Sequence, residues 1–419
     1  MDHSVQDWIA YGDEIRRPLQ IAKGLENSTK VVIVGAGLSG LTLAYKIATK
    51  RPDISVELIE KSSRLGGVIE TWKQEEWICD IAVNASRAHP AFWRLIDELG
   101  LSEQYSESNS HAKARWIYTD GKRRKLSPLT MLKAGPLKIY RGVKRSRTGK
   151  KSILEVIPYQ NLSDAMTLGI VNDISSNVDA DFLMPSMTKF GENPPMKWKK
   201  VKQEMMKTYP IFTPRKGAVA SLEGGMQTLI ECLENRLNQL ENVRIHLGSE
   251  ASSPESISEE YNIPLNSIIW TGPKNRKMED YTSLDIYAVG YEMSSSTDIQ
   301  IGYGTLIPDH NLPISGILHE SDVHSTSRAP NGHRIFRVMS PVSRNASKEE
   351  VKLCLKRILS PNEPVLFEHI GSRKIPKYPP GYMHNLAHAN DGFSRAGWFF
   401  SGVSVTHVVT EAERISNLF

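Results

Sequence analysis

Six residues, Gly35-Ala-Gly-Leu-Ser-Gly40, follow directly on the apolar run Val31 to Val34, and this placement limits the fold more than any other feature of the chain. In such a turn the first glycine permits the tight bend, the second lets backbone approach a pyrophosphate, and the third lets helix and strand pack closely. The helix that follows offers free N–H groups and the positive end of its dipole to phosphate. Ser39 to Lys50 reads as that helix, Pro52 stops it, and Ser55 to Glu60 reads as a second strand, completing a β-α-β unit. Glu60 lies twenty residues past Gly40, at the end of the second strand, where a carboxylate can accept both hydroxyls of a ribose. A bare glycine pattern is weak evidence. Strand, helix and acid together predict a dinucleotide-binding domain.

The rest of the chain is long enough for more than one core. Its 419 residues, 40% apolar and 24% charged with eight tryptophans, predict a folded multi-domain protein. The N-terminus carries Asp2, Asp7, Asp13 and Glu14 with no apolar stretch, so a secretory leader is not expected. The longest uncharged runs, Val31 to Tyr45 and Ala396 to Thr410, are too short to span a bilayer. Cys79, Cys232 and Cys354 match no metal spacing and cannot all pair, which predicts a reducing, cytoplasmic compartment. Twelve histidines form no H-E-x-x-H, so no metal site is expected.

Charge is uneven: residues 113 to 151 hold fourteen Lys and Arg against the single acid Asp120, within a net charge of +5. This patch predicts local attraction to anions, either as a solvated face or as a peripheral contact with a membrane. No nucleic-acid-binding fold accompanies it, so nucleic acid is not expected as a partner.

Along the chain, residues 1 to 29 read as an extension with one helix over Val5 to Ala22. Helices are expected over Trp93 to Leu99, Asp164 to Asn172, Gly224 to Leu240 and Lys348 to Leu359. Strands are expected at Val243 to Leu247, Ser267 to Trp270, Asp285 to Met293 and Asp298 to Ile307, and at Trp398 to Val405 running into a helix near Val408. Ser249 to Glu260 reads as a polar loop, and 113 to 215 as a basic, largely helical insertion. The expected division is a dinucleotide domain from 30–88, 216–280 and 375–419, and a substrate domain from 89–112 and 281–374.

Past the second strand, Arg64 is followed by paired Gly66 and Gly67, which lets the backbone run close along a long, extended dinucleotide such as FAD. The stretch L-I-E-K-S-S-R-L-G-G-V-I-E-T, residues 58 to 71, resembles the FAD-dependent amine oxidase and protoporphyrinogen oxidase superfamily. Further segments resemble the protoporphyrinogen oxidases in the same order: Asp80 to Arg87, Leu95 to Leu101, Arg115 to Tyr118 with Gly121, and Leu222 to Leu229. Gly302 to Pro308, Ile375 to Tyr378 with Gly381, and Ser401 to Ser404 continue the series. The resemblance implies an α/β fold: a Rossmann-type FAD-binding domain, an α+β substrate domain and the basic insertion.

Carried over position by position, it implies cofactor contacts from Gly35, Ala36, Gly37, Leu38, Ser39, Gly40, Glu60, Lys61, Arg64, Gly66, Gly67 and Val68. A second set is Ala82, Val83, Asn84, Ala85, Ala251, Val403, His407, Val408, Val409 and Thr410. Substrate contacts fall on Asn84, Tyr303 and Leu306; for the last two, ordinary sheet core is the competing assignment. The family's activity implies a two-electron oxidase of a porphyrinogen, with hydride passing to the flavin and dioxygen as electron acceptor, so no catalytic side chain is expected. Ala82-Val83 replaces the usual Gly-Pro, His407 stands where glycine is usual, just before the C-terminal helix, and that helix stops at Phe419 without the usual tail. These departures keep two alternatives open: an amine oxidase or desaturase on another substrate, and a flavin-binding protein without turnover.

Overall fold

The computed structural model describes residues 17–126, 135–188, 190–191, 197–273, 278–389 and 391–419. Strand β1 (Lys30–Val34) pairs in parallel with β2 (Ser55–Ile59), and helix α1 (Leu38–Lys50) crosses between them. The sheet extends to five parallel strands in the order Val243–His246, β2, β1, Ile268–Trp270, Ser394–Arg395. Val31, Val32 and Ile33 are fully buried, as parallel strands covered on both faces require. The last two strands come from more than two hundred residues downstream of β1, so the domain is assembled from separated pieces. Around this sheet, α1 packs with Pro90–Glu98, Gln227–Leu237 and the C-terminal helix Val405–Ser416 in one apolar core.

A second sheet of seven strands runs Leu366–Pro376, Tyr281–Glu292, His333–Pro341, Gly316–Leu318, Gly304–Leu306, Arg115–Thr119, Lys122–Lys125. It is antiparallel except where Gly304–Leu306 meets Arg115–Thr119. The helices Ile153–Val156, Gln160–Val171 and Ala180–Leu183 of the insertion close one core on its face. Helix Lys348–Ile358 contributes to another.

Several expectations are corrected. Trp398 to Val405 is not a strand: Trp398–Ser401 is a helical turn, Gly402 takes φ +105°, and Ser404 caps Val405–Ser416 by accepting from the Thr406 N–H. The run is apolar because both helices are buried, which periodicity cannot distinguish from a buried strand. Asp298 to Ile307 supplies only the short strand Gly304–Leu306. The loop expected over 249 to 260 contains helix Pro254–Tyr261, started by a Ser253/Ser256 capping box with proline at its first turn. Of the expected N-terminal helix, residues 5 to 16 lie outside the described residues, and 17 to 22 are not helical; Gln20 instead bridges to Arg395. The basic hairpin 115–125 belongs to the second sheet, and Pro90–Glu98 packs in the first core.

Candidate functional site

The glycine turn forms a backbone cradle. Gly35 takes φ +99°, and a Cβ on Gly40 would overlap the Gly35 carbonyl oxygen, so only glycine lets α1 start this close to β1. The second glycine loop closes on the first: Gly37 bridges to Gly66, the Gly66 N–H donates to the Ala36 carbonyl at 2.8 Å, and a Cβ on Gly67 would sit 3.1 Å from the Gly37 Cα. Gly35, Gly37 and Gly67 remain accessible, whereas Ala36, Leu38, Ser39 and Gly40 are buried beneath them.

Glu60 stands at the rim. Its carboxylate accepts from the Ala36 N–H at 2.8 Å and from the Ser62 N–H and hydroxyl at 2.9 and 2.6 Å. These bonds fix its orientation: the two from Ser62 fill Oε1, and Oε2 keeps lone-pair capacity for a further donor. Arg64 donates to the Gly67 carbonyl at 2.7 Å and pairs with Glu70 at 3.1 Å, so it braces the loop. Lys61 and Val68 are exposed beside it. Ala251 packs against the apolar cluster that holds Val32, Val34, Ile59, Ile268 and Trp270 of the central strands.

The segment Ala82 to Ala85 lies where the two sheets meet. Ala82 is buried, while Val83, Asn84 and Ala85 are partly open. The Asn84 carbonyl accepts from the Ser221 hydroxyl at 2.8 Å. Ala85 and Tyr303 pack on one small apolar cluster, and the Arg115 guanidinium sits 4.8 Å from the centre of the Tyr303 ring. Asn84 and Tyr303 are thus brought to one region, but Leu306 turns to Gly169 of the insertion. Val403 joins Ile81 in the cluster shared by the second sheet and the insertion.

The C-terminal helix holds the remaining expected residues differently. Val409 and Thr410 are fully buried, Thr410 bonding the Thr406 carbonyl and His89, and Val408 packs in the first core. His407 lies in the first helical turn rather than before the helix, because Ser404 starts the helix three residues earlier. Its Nδ1 and the Arg17 guanidinium both approach Gly402, where an added Cβ would lie 2.7 and 2.9 Å from them.

Charge in this region comes from Asp80, which opens one of the resembling segments, and from arginines and acids that the sequence pattern did not single out. Asp80, fully buried, accepts from the Thr71 hydroxyl at 2.6 Å and the Met226 N–H at 2.9 Å, and pairs with Arg328 at 3.3 Å. Arg334 pairs with Asp322 at 2.9 Å and Arg337 with Glu320 at 3.3 Å. Arg337 also donates to the carbonyls of Asp80 and Ala82, at 2.6 and 3.1 Å. Arg373 donates to the same Ala82 carbonyl at 2.7 Å. The available signal was the run Arg334-Ile-Phe-Arg337-Val, charged residues within an apolar strand. Among the described residues no cluster of His, Cys, Asp and Glu could hold a metal ion.

Known proteins agree with this architecture. Residues 33–99 match the model of the NAD(P)-binding Rossmann-like domain. An L-amino-acid oxidase from Sistrurus catenatus edwardsii is 32% identical over 140 residues, 32% of this chain and 26% of that protein. Protoporphyrinogen oxidase 2, chloroplastic/mitochondrial, from Arabidopsis thaliana is 36% identical over 93 residues, 22% of this chain and 18% of that protein. The matched part therefore spans about a quarter or less of these relatives. Among solved structures, a protein provisionally described as a protoporphyrinogen oxidase from Exiguobacterium sp. 255-15 aligns with TM-score 0.63 at 17% identity, covering 93% of this chain and 98% of that one. Putrescine oxidase bound to putrescine gives 0.60 at 15%, covering 93% and 99%. These structural likenesses establish the fold.

Proposed function

We propose that this chain, whose Rossmann-type domain and fold group it with the FAD-dependent amine oxidase superfamily, is an FAD-dependent two-electron oxidase acting on a small molecule. The observation that carries the proposal is the double glycine cradle with Glu60 fixed at its rim. The cradle fits an extended dinucleotide, because glycine at 40 lets α1 start against the turn and glycine at 67 lets the two loops close on each other, leaving backbone at the surface. Gly35, Gly37 and Gly67 would face the pyrophosphate, Glu60 the ribose, and Val83 to Ala85 the redox-active end. FAD held there would supply the two-electron acceptor chemistry, with dioxygen as the proposed reoxidant. The chain's own residues would then orient substrate and exclude water, with Asn84 next to Ala85 and Tyr303 packed on the same small cluster as Ala85.

For the substrate we favour a porphyrinogen, protoporphyrinogen IX or coproporphyrinogen III, on the ordered resemblance of segments from Asp80 to Ser404 and the likeness to the plant protoporphyrinogen oxidase. An amine or amino acid is the second possibility, supported by the longer match to the L-amino-acid oxidase. Anaerobic mixing of the purified yellow protein with a panel of porphyrinogens and amines decides between them. Bleaching by porphyrinogens alone is the expected result. Bleaching by amines alone transfers the assignment, and a protein that takes up no FAD removes the proposal.

The basic patch belongs to the same proposal as a peripheral contact with anionic lipid. Helix Pro136–Ser146 exposes Leu137 and Tyr140 among Lys138, Arg141, Lys144 and Arg145, and Lys122, Arg124 and Lys125 are exposed on the hairpin. Each basic residue close to such a surface contributes about 1 kcal/mol, screened by salt. No helix among the described residues is long and apolar enough to cross a membrane. Sedimentation with anionic vesicles at low salt should exceed that with neutral vesicles, and equal recovery with both rules the contact out.

A further inference from the structure

The segment Asp80 to Ala85 is held through its backbone carbonyls. Arg337 donates to the carbonyls of Asp80 and Ala82, and Ser221 donates to that of Asn84 at 2.8 Å. The Ser221 hydroxyl accepts in turn from Arg328 Nη2 at 3.0 Å, and the same nitrogen reaches the Leu222 carbonyl at 3.3 Å and His324 Nδ1 at 3.4 Å. On its other side the His324 ring places Nε2 2.8 Å from Glu320 Oε2. A continuous line of hydrogen bonds therefore runs from the Glu320 carboxylate through His324, Arg328 and Ser221 to Asn84. Glu320, His324, Arg328 and Ser221 are all buried.

The chemistry of each group fixes the direction of that line. Arginine only donates, so His324 Nδ1 is the acceptor and the ring proton sits on Nε2, donated to Glu320. A second proton would turn Nδ1 into a donor, setting two like-charged donors 3.4 Å apart. Arg328 would then turn from the ring, and Ser221 would lose the donor that orients its hydroxyl. Charged groups surround the ring from several elements: Glu320 on the same short helix, Arg337 paired with Glu320, and Asp80 paired with Arg328. Glu107 stands across a narrow cleft, paired with Arg215, and Asp322 is taken up by His319 and Arg334. Burial, with the Glu320 charge beside it, pushes the Cys79 thiol well up, so that group stays neutral.

We infer that His324 is a positioning residue of the proposed oxidase site: it holds Arg328 so that Ser221 fixes the Asn84 carbonyl, and with it the segment Ala82 to Ala85. The ring lies directly behind that segment, sharing the narrow cleft with Ala85, Ser221 and Ser325. It acts through Arg328 and Ser221, whereas Asn84 is the residue that would meet substrate. The inference rests on the proposed oxidase function for what the segment faces, while the line of hydrogen bonds stands independently of it.

Amide exchange of the peptide spanning residues 80–87, followed by mass spectrometry on the full chain at about pH 8, tests the line. Ser221→Ala removes its last donor and His324→Phe its ring acceptor, and each should speed exchange in that peptide about fivefold or more. His324→Asn places an amide oxygen where Nδ1 stood and should stay within about twofold of wild type. Flavin circular dichroism of the FAD-loaded chain adds a readout that a purely structural histidine would not move. Between about pH 8 and about pH 5, the range in which histidine side chains change charge, the wild-type band should shift and that of His324→Asn should not. Equal exchange in wild type and Ser221→Ala, failure of His324→Asn to restore what His324→Phe loses, or a flavin band that behaves alike with pH in wild type and His324→Asn each overturns the inference. If His324→Phe does not fold, Ser221→Ala and His324→Asn decide it. A protein that takes up no FAD removes the oxidase proposal, and the exchange measurement on the FAD-free chain still decides His324.

Discussion

Glu60 is held before any ligand arrives, by N–H groups of the two loops that form the cradle. Its removal should therefore act twice: it deletes the acceptor for the ribose and releases the Ala36 and Ser62 N–H groups. Glu60→Ala should weaken FAD retention by about 2 to 4 kcal/mol, the range for two charge-assisted hydrogen bonds, read by equilibrium dialysis with flavin fluorescence. Retention equal to wild type refutes the ribose assignment. The same residue shows what could be read from sequence, since glycines at a strand-to-helix turn and an acid at the next strand end are local patterns. Arg373 was not legible in that way. Its neighbours Ser372 and Lys374 are exposed, so the segment looks like a solvated strand edge, and its partner Ala82 lies 291 positions away in sequence. Likewise Val409 and Thr410, carried over as cofactor contacts, are core residues, because the face of a helix buried against two others cannot be told from sequence order alone.

Two buried aspartates organise the insertion, and one of them, Asp179, ties it to the late loop. Asp179 caps helix Ala180–Leu183 through the Phe182 N–H and accepts from the Gly381 and Met383 N–H groups, while Asp181 accepts from the Gly149 N–H at 2.9 Å. Burial raises Asp179 to about 6, and burial, helped by the neighbouring Asp179 charge, raises Asp181 to about 7. Both lie above the ordinary carboxylate value near 4, so the native state binds protons that the unfolded chain has already released. The stability they contribute is complete below about pH 4 and is lost as pH rises through about 6 to 7. Asp181→Asn should therefore stabilise the protein at pH 8 by on the order of 1 to 2 kcal/mol and leave it almost unchanged at pH 4. Urea unfolding at the two pH values reads this. An equal effect at both means that Asp181 does not titrate in this window.

At the scale of the whole molecule, the β-α-β unit follows from short-range pattern, because β1 is a continuous apolar run after Lys30 and β2 is nearly one. What joins the two sheets does not follow, because it is a buried polar seam whose members are dispersed from Thr71 to Arg373. Its centre is Asp80, which holds the hairpin Thr71–Gln74/Trp77–Asp80 through Thr71, the start of helix Gln227–Leu237 through the Met226 N–H, and the second sheet's side through Arg328. Arg328 extends the link by donating to the Ser221 hydroxyl at 3.0 Å and the Leu222 carbonyl at 3.3 Å. The first and second cores should therefore unfold as one cooperative unit. Replacing Arg328 with methionine keeps the volume but strands the Asp80 carboxylate in the interior, a loss of about 3 to 5 kcal/mol for one partner of a buried pair. The double change Asp80→Asn with Arg328→Met removes both charges and retains an acceptor for Thr71 and Met226, so it should recover more than half of that loss. Differential scanning calorimetry should give one transition for wild type and a lower, broadened or divided one for Arg328→Met, with the double variant close to wild type. If Arg328→Met stays within about 1 kcal/mol of wild type, where surface substitutions fall, the seam does not hold the two sheets together, and their coupling comes from apolar packing alone.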